Sequence, residues 1–348
     1  MRTARAMAAA LILILSLAAG ATPAWARALP TQSGAVAWGA DDVGQLGTVN
    51  GPDRAVYGGV AGLGSGVTQV SAGYEHGLAL KTDGTVWAWG GNNYGELGAG
   101  TNALQSLPVQ VPGLTGVTQV AAGSGFELAL RSDGTVWAWG CNTFGQLGIG
   151  MEFSASAAVP VQVPGLKNVI AVTAGYFSAA VLERRSPYTT QNSVLAWGYE
   201  AIPGTDQLSP VAVQGIGTPL IDSVSAGDGF FVALGSDGSV WAWGRNYHDN
   251  LGLADVTKQP AELRGPGSGI TQVSAGLNYA LALRSDGTVL AWGDDTSGQL
   301  GDGTTSTGSF PVQVSGLTGA TQVAAGNGFS LAVQRTPYLT LGTPSSRS

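Results

Sequence analysis

Three features of the 348-residue chain predict an all-β, turn-rich fold. Glycine is abundant at 55 residues, only 11% of residues are charged, and tryptophan occurs 10 times. Soluble proteins average roughly 7% glycine and roughly a quarter charged residues. Each interior glycine costs a helix about 1 kcal/mol relative to alanine, so a helical bundle or coiled coil is excluded. Collagen is excluded because the glycines show no period of three. Disorder is disfavoured, since 44% of residues are hydrophobic and the chain is long enough to bury a large core.

The N-terminus does not belong to that fold. Arg2 and Arg5 precede an apolar run, Ala8 to Ala19, and Ala24-Trp25-Ala26 has the A-x-A form of a cleavage site. Residues 1–26 therefore read as a secretory signal peptide. The run is shorter than the roughly 20 apolar residues of a membrane span. Removing it leaves 13 basic and 22 acidic residues, a net charge of −9. An acidic surface repels phosphate backbones, and the longest basic cluster is Arg184-Arg185, so no nucleic-acid partner is expected. Cys141 is the single cysteine, which excludes an intramolecular disulfide. The expectation is a bacterial protein, secreted or held in the periplasm or at the cell surface, with no membrane insertion after cleavage.

From residue 35 onward the chain repeats itself. A strand ending in Trp-Gly recurs with Trp at 38, 89, 139, 197, 243 and 292. A polar loop follows, with Gly-x-Leu-Gly at 44–47, 95–98, 145–148 and 298–301. Next comes an outer strand such as Pro108-Val109-Gln110-Val111. A Gln-Val-Ala-Ala-Gly type strand is third, ending at Gly73, Gly123, Gly175, Gly227, Gly276 or Gly326. Last is a Leu-Ala-Leu strand, joined to the next Trp strand by Asp83-Gly84, Asp133-Gly134, Asp237-Gly238 or Asp286-Gly287, a hairpin signal. In Val86-Trp87-Ala88-Trp89 small and large residues alternate, so the two faces of the strand meet different partners. The Ala-Gly ends suit a crowded place where strands converge.

Four short strands repeated six times predict a β-propeller. The first repeat opens on Val36-Ala37-Trp38, and the last ends on Leu331-Ala332-Val333. Those strand types are hairpin partners elsewhere, so pairing first with last would close the ring and hide its edges. The expected organisation is an N-terminal segment at 27–34, six four-stranded blades over 35–335 and a tail at 336–348, with seven blades as the alternative. Two repeats are irregular. The third carries a longer insertion, Glu183 to Ser193, and the fourth has Ile202 to Leu208 in place of Gly-x-Leu-Gly.

Together these parts resemble the regulator-of-chromosome-condensation repeat family over essentially the whole of 35–333. The fullest match is Trp89-Gly90-Gly91-Asn92-Asn93-Tyr94-Gly95-Glu96-Leu97-Gly98, with Gly73-Tyr74-Glu75-His76-Gly77-Leu78-Ala79-Leu80. The family's His is kept at His76 alone. Phe126, Ser178, Phe230, Tyr279 and Phe329 stand at the equivalent positions, a series that suits packing rather than catalysis. The resemblance implies a propeller, typically of seven blades. The family's secreted bacterial members that inhibit β-lactamases show that the fold can present a protein-binding face.

Catalytic chemistry is sparsely supplied. His76 and His248 are the two histidines, 172 residues apart, and Cys141 sits at a position that varies among repeats. Asp41-Asp42, Asp294-Asp295 and Asp302 lack the EF-hand spacing. No metal, cofactor or catalytic residue is assigned. The candidates are loops that vary on a constant frame: Tyr94, Phe144 and Tyr247, with Asn92, Asn142 and Asn246 beside them, could form an aromatic binding patch. The competing reading packs each ring on its own blade's turn. The sequence thus predicts a monomeric, non-enzymatic binding propeller for a protein or glycan. One alternative is a hydrolase or lyase with acids drawn from several blades, and another is an inhibitor of a secreted enzyme such as a β-lactamase.

Overall fold

Each Asp-Gly pair closes a hairpin by the same chemistry. The Asp83 carboxylate accepts hydrogen bonds from the Thr85 amide at 3.0 Å and hydroxyl at 2.7 Å, and Gly84 turns the chain at φ +77°. Asp133 with Thr135, Asp237 with Ser239 and Asp286 with Thr288 repeat it. These bonds hold all four carboxyls below the usual carboxylate range.

The structure is a computed structural model and describes residues 34–49, 53–150, 156–185, 192–202, 205–216, 220–253, 259–263 and 269–334. The expected signal segment 1–26, residues 27–33 and the expected tail 336–348 lie outside the described residues, as do 186–191 of the third-repeat insertion. The first hairpin is β1 (Val36–Gly39) and β2 (Arg54–Gly59). Five antiparallel four-stranded sheets follow, each in sequence order. They are β3 (Val67–Ala72), β4 (His76–Lys81), β5 (Val86–Gly90) and β6 (Gln105–Gln110); then β7 (Val117–Ala122), β8 (Phe126–Arg131), β9 (Val136–Gly140) and β10 (Ala157–Gln162). The third sheet is β11 (Val169–Ala174), β12 (Ser178–Arg184), β13 (Asn192–Ile202) and β14 (Thr205–Ala212). The fourth is β15 (Ile221–Ala226), β16 (Phe230–Gly235), β17 (Val240–Gly244) and β18 (Ala261–Glu262). The fifth is β19 (Ile270–Ala275), β20 (Tyr279–Arg284), β21 (Val289–Gly293) and β22 (Gly308–Gln313). A last hairpin, β23 (Ala320–Ala325) and β24 (Ser330–Gln334), ends the described chain. Pro108, Pro160, Pro210 and Pro311 all fall in the outermost strand of a sheet, where a missing amide costs no ladder bond.

Two devices join neighbouring sheets. Trp89, Trp139, Trp197 and Trp292 are fully buried, and each indole Nε1 donates to a backbone carbonyl in the loop of the preceding sheet. The acceptors are Gln45 at 2.9 Å, Glu96 at 2.7 Å, Gln146 at 2.8 Å and Asn250 at 3.0 Å. The Gly-x-Leu-Gly loop is thus a tryptophan socket. At Gly148 a Cβ would stand 2.7 Å from the Trp197 Nε1, which explains the glycine there. Trp243 follows the irregular fourth-repeat loop; its Nε1 has no partner, and its ring stacks on Phe231 at 5.3 Å. The second device lies nearer the axis, where the Gln119 side chain both donates to the Val172 carbonyl and accepts from the Val172 amide. Gln69 grips Val120, and Gln272 grips Val323, in the same way.

The ring-closing pair expected from the repeat pattern does not form. Among the described residues β1 pairs with β2 and β24 with β23, and no ladder joins β24 to β1. Each end strand is laddered to the strand next to it in sequence. The hairpin β1–β2 is fixed to the first full sheet by a core of Ala35, Ala37, Leu46, Val60, Leu63, Ala79 and Trp89. Around the axis the inter-sheet backbone bonds run from Tyr74 N–H to Ser124, Ser124 to Tyr176, Tyr176 to Gly227, Asp228 to Leu277 and Leu277 to Gly326. The protein is therefore five complete blades between two half-blades, six blades if the halves count as one and seven if each counts.

Candidate functional site

The turns after β3, β7, β11, β15, β19 and β23 and the loops that follow each Trp-Gly emerge on one end of the ring. The six Ala-Gly strand ends converge there around a cavity of ≈ 160 Å³. Convergence is tight because in four sheets the first residue of the following strand (His76, Phe126, Phe230 or Tyr279) lies over its own sheet's glycine: a Cβ on Gly123 would stand 2.2 Å from the Phe126 ring. His76 occupies this position in the first blade and is buried, so the packing role read from the Phe, Tyr and Ser equivalents describes its place.

One residue follows each Ala-Gly and rims the cavity: Tyr74, Ser124, Tyr176, Asp228, Leu277 and Asn327. Tyr74 and Tyr176 reach over the small Ser124 and meet edge to face at 6.0 Å. Tyr176 continues to Phe177 at 4.8 Å, Phe177 to Phe144 at 5.1 Å, and Phe144 to Tyr199 at 4.9 Å. The Arg245 guanidinium lies 4.8 Å from the Tyr199 ring and 3.7 Å from the Tyr247 ring, donates to the Tyr199 hydroxyl, and approaches Glu200 at 3.5 Å. The result is an arc of six rings and one guanidinium from the cavity rim outward over the third and fourth blades. Beside it, burial pushes the Asp228 carboxyl up, opposed by Arg245, and its Oδ1 has no hydrogen-bond partner. Burial also pushes up the Tyr176 and Tyr199 hydroxyls.

The six sequence candidates divide. Phe144 and Tyr247 belong to the arc, linked through Tyr199 and Arg245, and Phe144 packs on the next blade rather than on its own turn. Tyr94 is 49% exposed, and its ring lies beside Gly125 and takes part in none of the ring contacts of the arc, so the three rings do not form one patch. Asn92, Asn142 and Asn246 are loop braces: their side-chain oxygens accept the amides of Leu97, Leu147 and Leu251 at 3.0, 3.0 and 3.1 Å. Asn92 and Asn142 are buried, and Asn92 also donates to Thr101 and Ala103. Asp41 and Asp295 do the same work for Leu46 and Leu300. Tyr74, Tyr176, Phe177, Tyr199 and Arg245 were not singled out from sequence. Their signal was positional: each lies within two residues of an Ala-Gly or just after a Trp-Gly, where the repeats vary.

The comparisons with known proteins agree with this architecture. The model of the RCC1-like domain family matches residues 34–344. The ultraviolet-B receptor UVR8 of Arabidopsis thaliana is 30% identical over 227 residues, 63% of this chain and 50% of that protein. The human E3 ubiquitin-protein ligase HERC2 is 32% identical over 102 residues, 29% of this chain and 2% of that protein. The chain thus spans at most half the length of these relatives. Yeast RCC1 (Prp20), solved bound to Kap60, superposes with a TM-score of 0.76 at 22% identity, covering 89% of this chain and 78% of that one. A family match across nearly all of the repeats, on a fold of the same design, places this chain in the RCC1-like domain family.

Proposed function

We propose that this is an exported, non-catalytic propeller that binds a protein partner through the arc from Tyr74 to Tyr247. The observation that carries the reading is the arc itself. Tyr, Phe and Arg are the residue types on which binding energy concentrates, and here they are contiguous, on one face, beside an acid with an unpartnered oxygen. Tyr247 is 52% exposed and Tyr74 37%, so the arc presents rings to solvent. A protein surface fits this span better than a small ligand does, because the rings run across blades instead of lining a deep cleft. The yeast relative solved with Kap60 supports a protein-binding role for the fold, and the signal-like N-terminus supports export.

The test is affinity capture from the producing organism's culture medium with the mature chain, followed by titration of the captured protein. Replacing Tyr199, Arg245 and Tyr247 together by Ala should weaken binding roughly 100-fold or more, while Tyr94→Ala leaves it unchanged. Equal binding by the triple variant, with its near-ultraviolet circular dichroism intact, would sink the reading. Export is checked by sequencing the N-terminus of the released protein, which should begin at Arg27.

A further inference from the structure

On the same end of the ring as the aromatic arc, between the fifth sheet and the last hairpin, a second pocket opens where a ring is missing. The residue three positions before the loop leucine is Tyr94 after β5, Phe144 after β9 and Ser297 after β21. Each faces the second residue after the Ala-Gly of the strand that follows. The Tyr94 ring stands 3.4 Å from where a Cβ of Gly125 would lie, and Phe144 packs on Phe177 at 5.1 Å. The third such pair is Ser297 and Gly328, two small residues, with the Ser297 hydroxyl 3.6 Å from where a Cβ of Gly328 would lie. The space that a ring takes elsewhere is left here as a pocket of ≈ 460 Å³.

The chemistry of the lining is neutral. Among the described residues that line the pocket there is no Lys, Arg or His, so an anionic ligand finds no counter-charge. Asp294 is the one acid among them. Its carboxylate already accepts the Thr296 amide at 3.1 Å, the Thr296 hydroxyl at 3.2 Å and the Gln299 side-chain amide at 3.0 Å, so it is satisfied without a bound cation. What remains for a ligand is uncharged: the Asn278 amide, whose Oδ1 is buried without a hydrogen-bond partner, the Ser297 hydroxyl and the Asn327 amide. Leu277 and Phe329 supply the apolar part of the wall. Amides and hydroxyls both donate and accept, so they suit a ligand whose groups do both. An apolar ligand would leave the Asn278 oxygen buried and unpaired, which costs binding.

We propose that this pocket binds one neutral pyranose unit of a glycan. A pyranose carries hydroxyls that donate and accept around its edge and C–H groups on its faces, which matches two amides and a hydroxyl set beside Phe329 and Leu277. The volume falls within the span of small-ligand sites, about 300–1,000 Å³, whereas the axial cavity at ≈ 160 Å³ does not. Leu277 and Asn327 line both, so a longer glycan extends from the pocket over the axial mouth. The site is separate from the arc between Tyr74 and Tyr247, and its occupant does not depend on what the arc binds.

Saturation-transfer and amide-shift NMR on the mature protein test this with methyl glucoside, methyl galactoside, methyl mannoside, N-acetylglucosamine, maltotriose and chitotriose. At least one should bind with a dissociation constant of roughly 1 mM or below and shift the side-chain amide signals of Asn278 and Asn327. The uronic acid and the 6-phosphate of the same sugar should bind roughly 10-fold more weakly. Ser297→Tyr supplies the ring that Tyr94 provides in its own loop and should abolish binding, with amide signals away from the pocket unchanged. Asn278→Ala should weaken it roughly 10-fold. Absence of any shift with all six sugars at tens of millimolar overturns the proposal. A captured protein partner that moves the same amides where no sugar does assigns the pocket to a protein surface and overturns it too. So do charged sugars that bind as well as neutral ones, or binding that survives Ser297→Tyr.

Discussion

The His76 imidazole and the Glu127 carboxylate form an ion pair across two blades, with neither side chain open to solvent. His76 begins β4 and Glu127 lies on β8, where the equivalent residues are Gly77, Ala179, Phe231, Ala280 and Ser330. Burial, the largest effect, pushes Glu127 up to about 7 against the attraction of His76, and nearby Glu96 adds to the rise. For His76 burial acts downward, but the charge and hydrogen bond of Glu127, with Glu96 and Glu75, outweigh it and the net shift is upward. The pair titrates as a unit.

Both shifts mean that the folded protein holds protons more tightly than the unfolded chain. Stability is therefore highest below the unfolded carboxyl value of 4.5 and falls as pH rises through about 7, continuing as His76 loses its proton. The slope reaches ~1.4 kcal/mol per pH unit for each proton involved. Urea unfolding at a series of pH values from 4.5 to 8 should show this decline, and Glu127→Gln should flatten its acidic half. A stability that rises over that range would contradict the assignment.

Trp139→Phe should destabilise by about 1–3 kcal/mol, since the Glu96 carbonyl loses its donor in a buried place. Trp243→Phe should cost less, because the Trp243 Nε1 has no partner to lose. Denaturant midpoints at constant m-value measure both. Equal losses would show that the indole bond contributes little.

Gln119→Ala leaves the Val172 amide and carbonyl without the side chain that satisfies them, a loss of about 1–3 kcal/mol. The third blade has Ala171 at this position, facing Val224 of the fourth. Installing the grip with Ala171→Gln should stabilise by roughly 0.5–1.5 kcal/mol. Thermal unfolding of the two variants should move in opposite directions, and a destabilising Ala171→Gln would show that the third and fourth blades sit at a different spacing.

Much of the frame was legible in the residues. Asp83-Gly84 and its copies specify hairpins within six residues of chain, where turn chemistry decides the outcome locally. Trp89 and Leu97 announced a repeated interface by recurrence alone. The candidate site was half legible. Phe144 and Tyr247 stood out as aromatic residues in variable loops, but Asn92 and Asn142 looked the same on paper and proved to be buried braces. A side-chain oxygen five residues before a loop leucine is a local bond that spacing could have disclosed. Tyr176 and Arg245 could not be recognised in that way, because Tyr74 and Tyr199, the partners that place them in the arc, come from other blades.

The sequence by itself determined the unit: its four strands, its turns, its socket loop and the number of times it recurs. These are short-range matters, set by alternation, glycine conformation and turn hydrogen bonds. Tertiary structure decided what the units do to one another. It brought Glu127 to His76 from 51 positions away, threaded Tyr74 to Tyr247 into one arc, and left β24 apart from β1. Repetition fixes the surfaces that meet, but the angle at which blades stack sums over the whole ring, and only that sum decides whether the two ends touch.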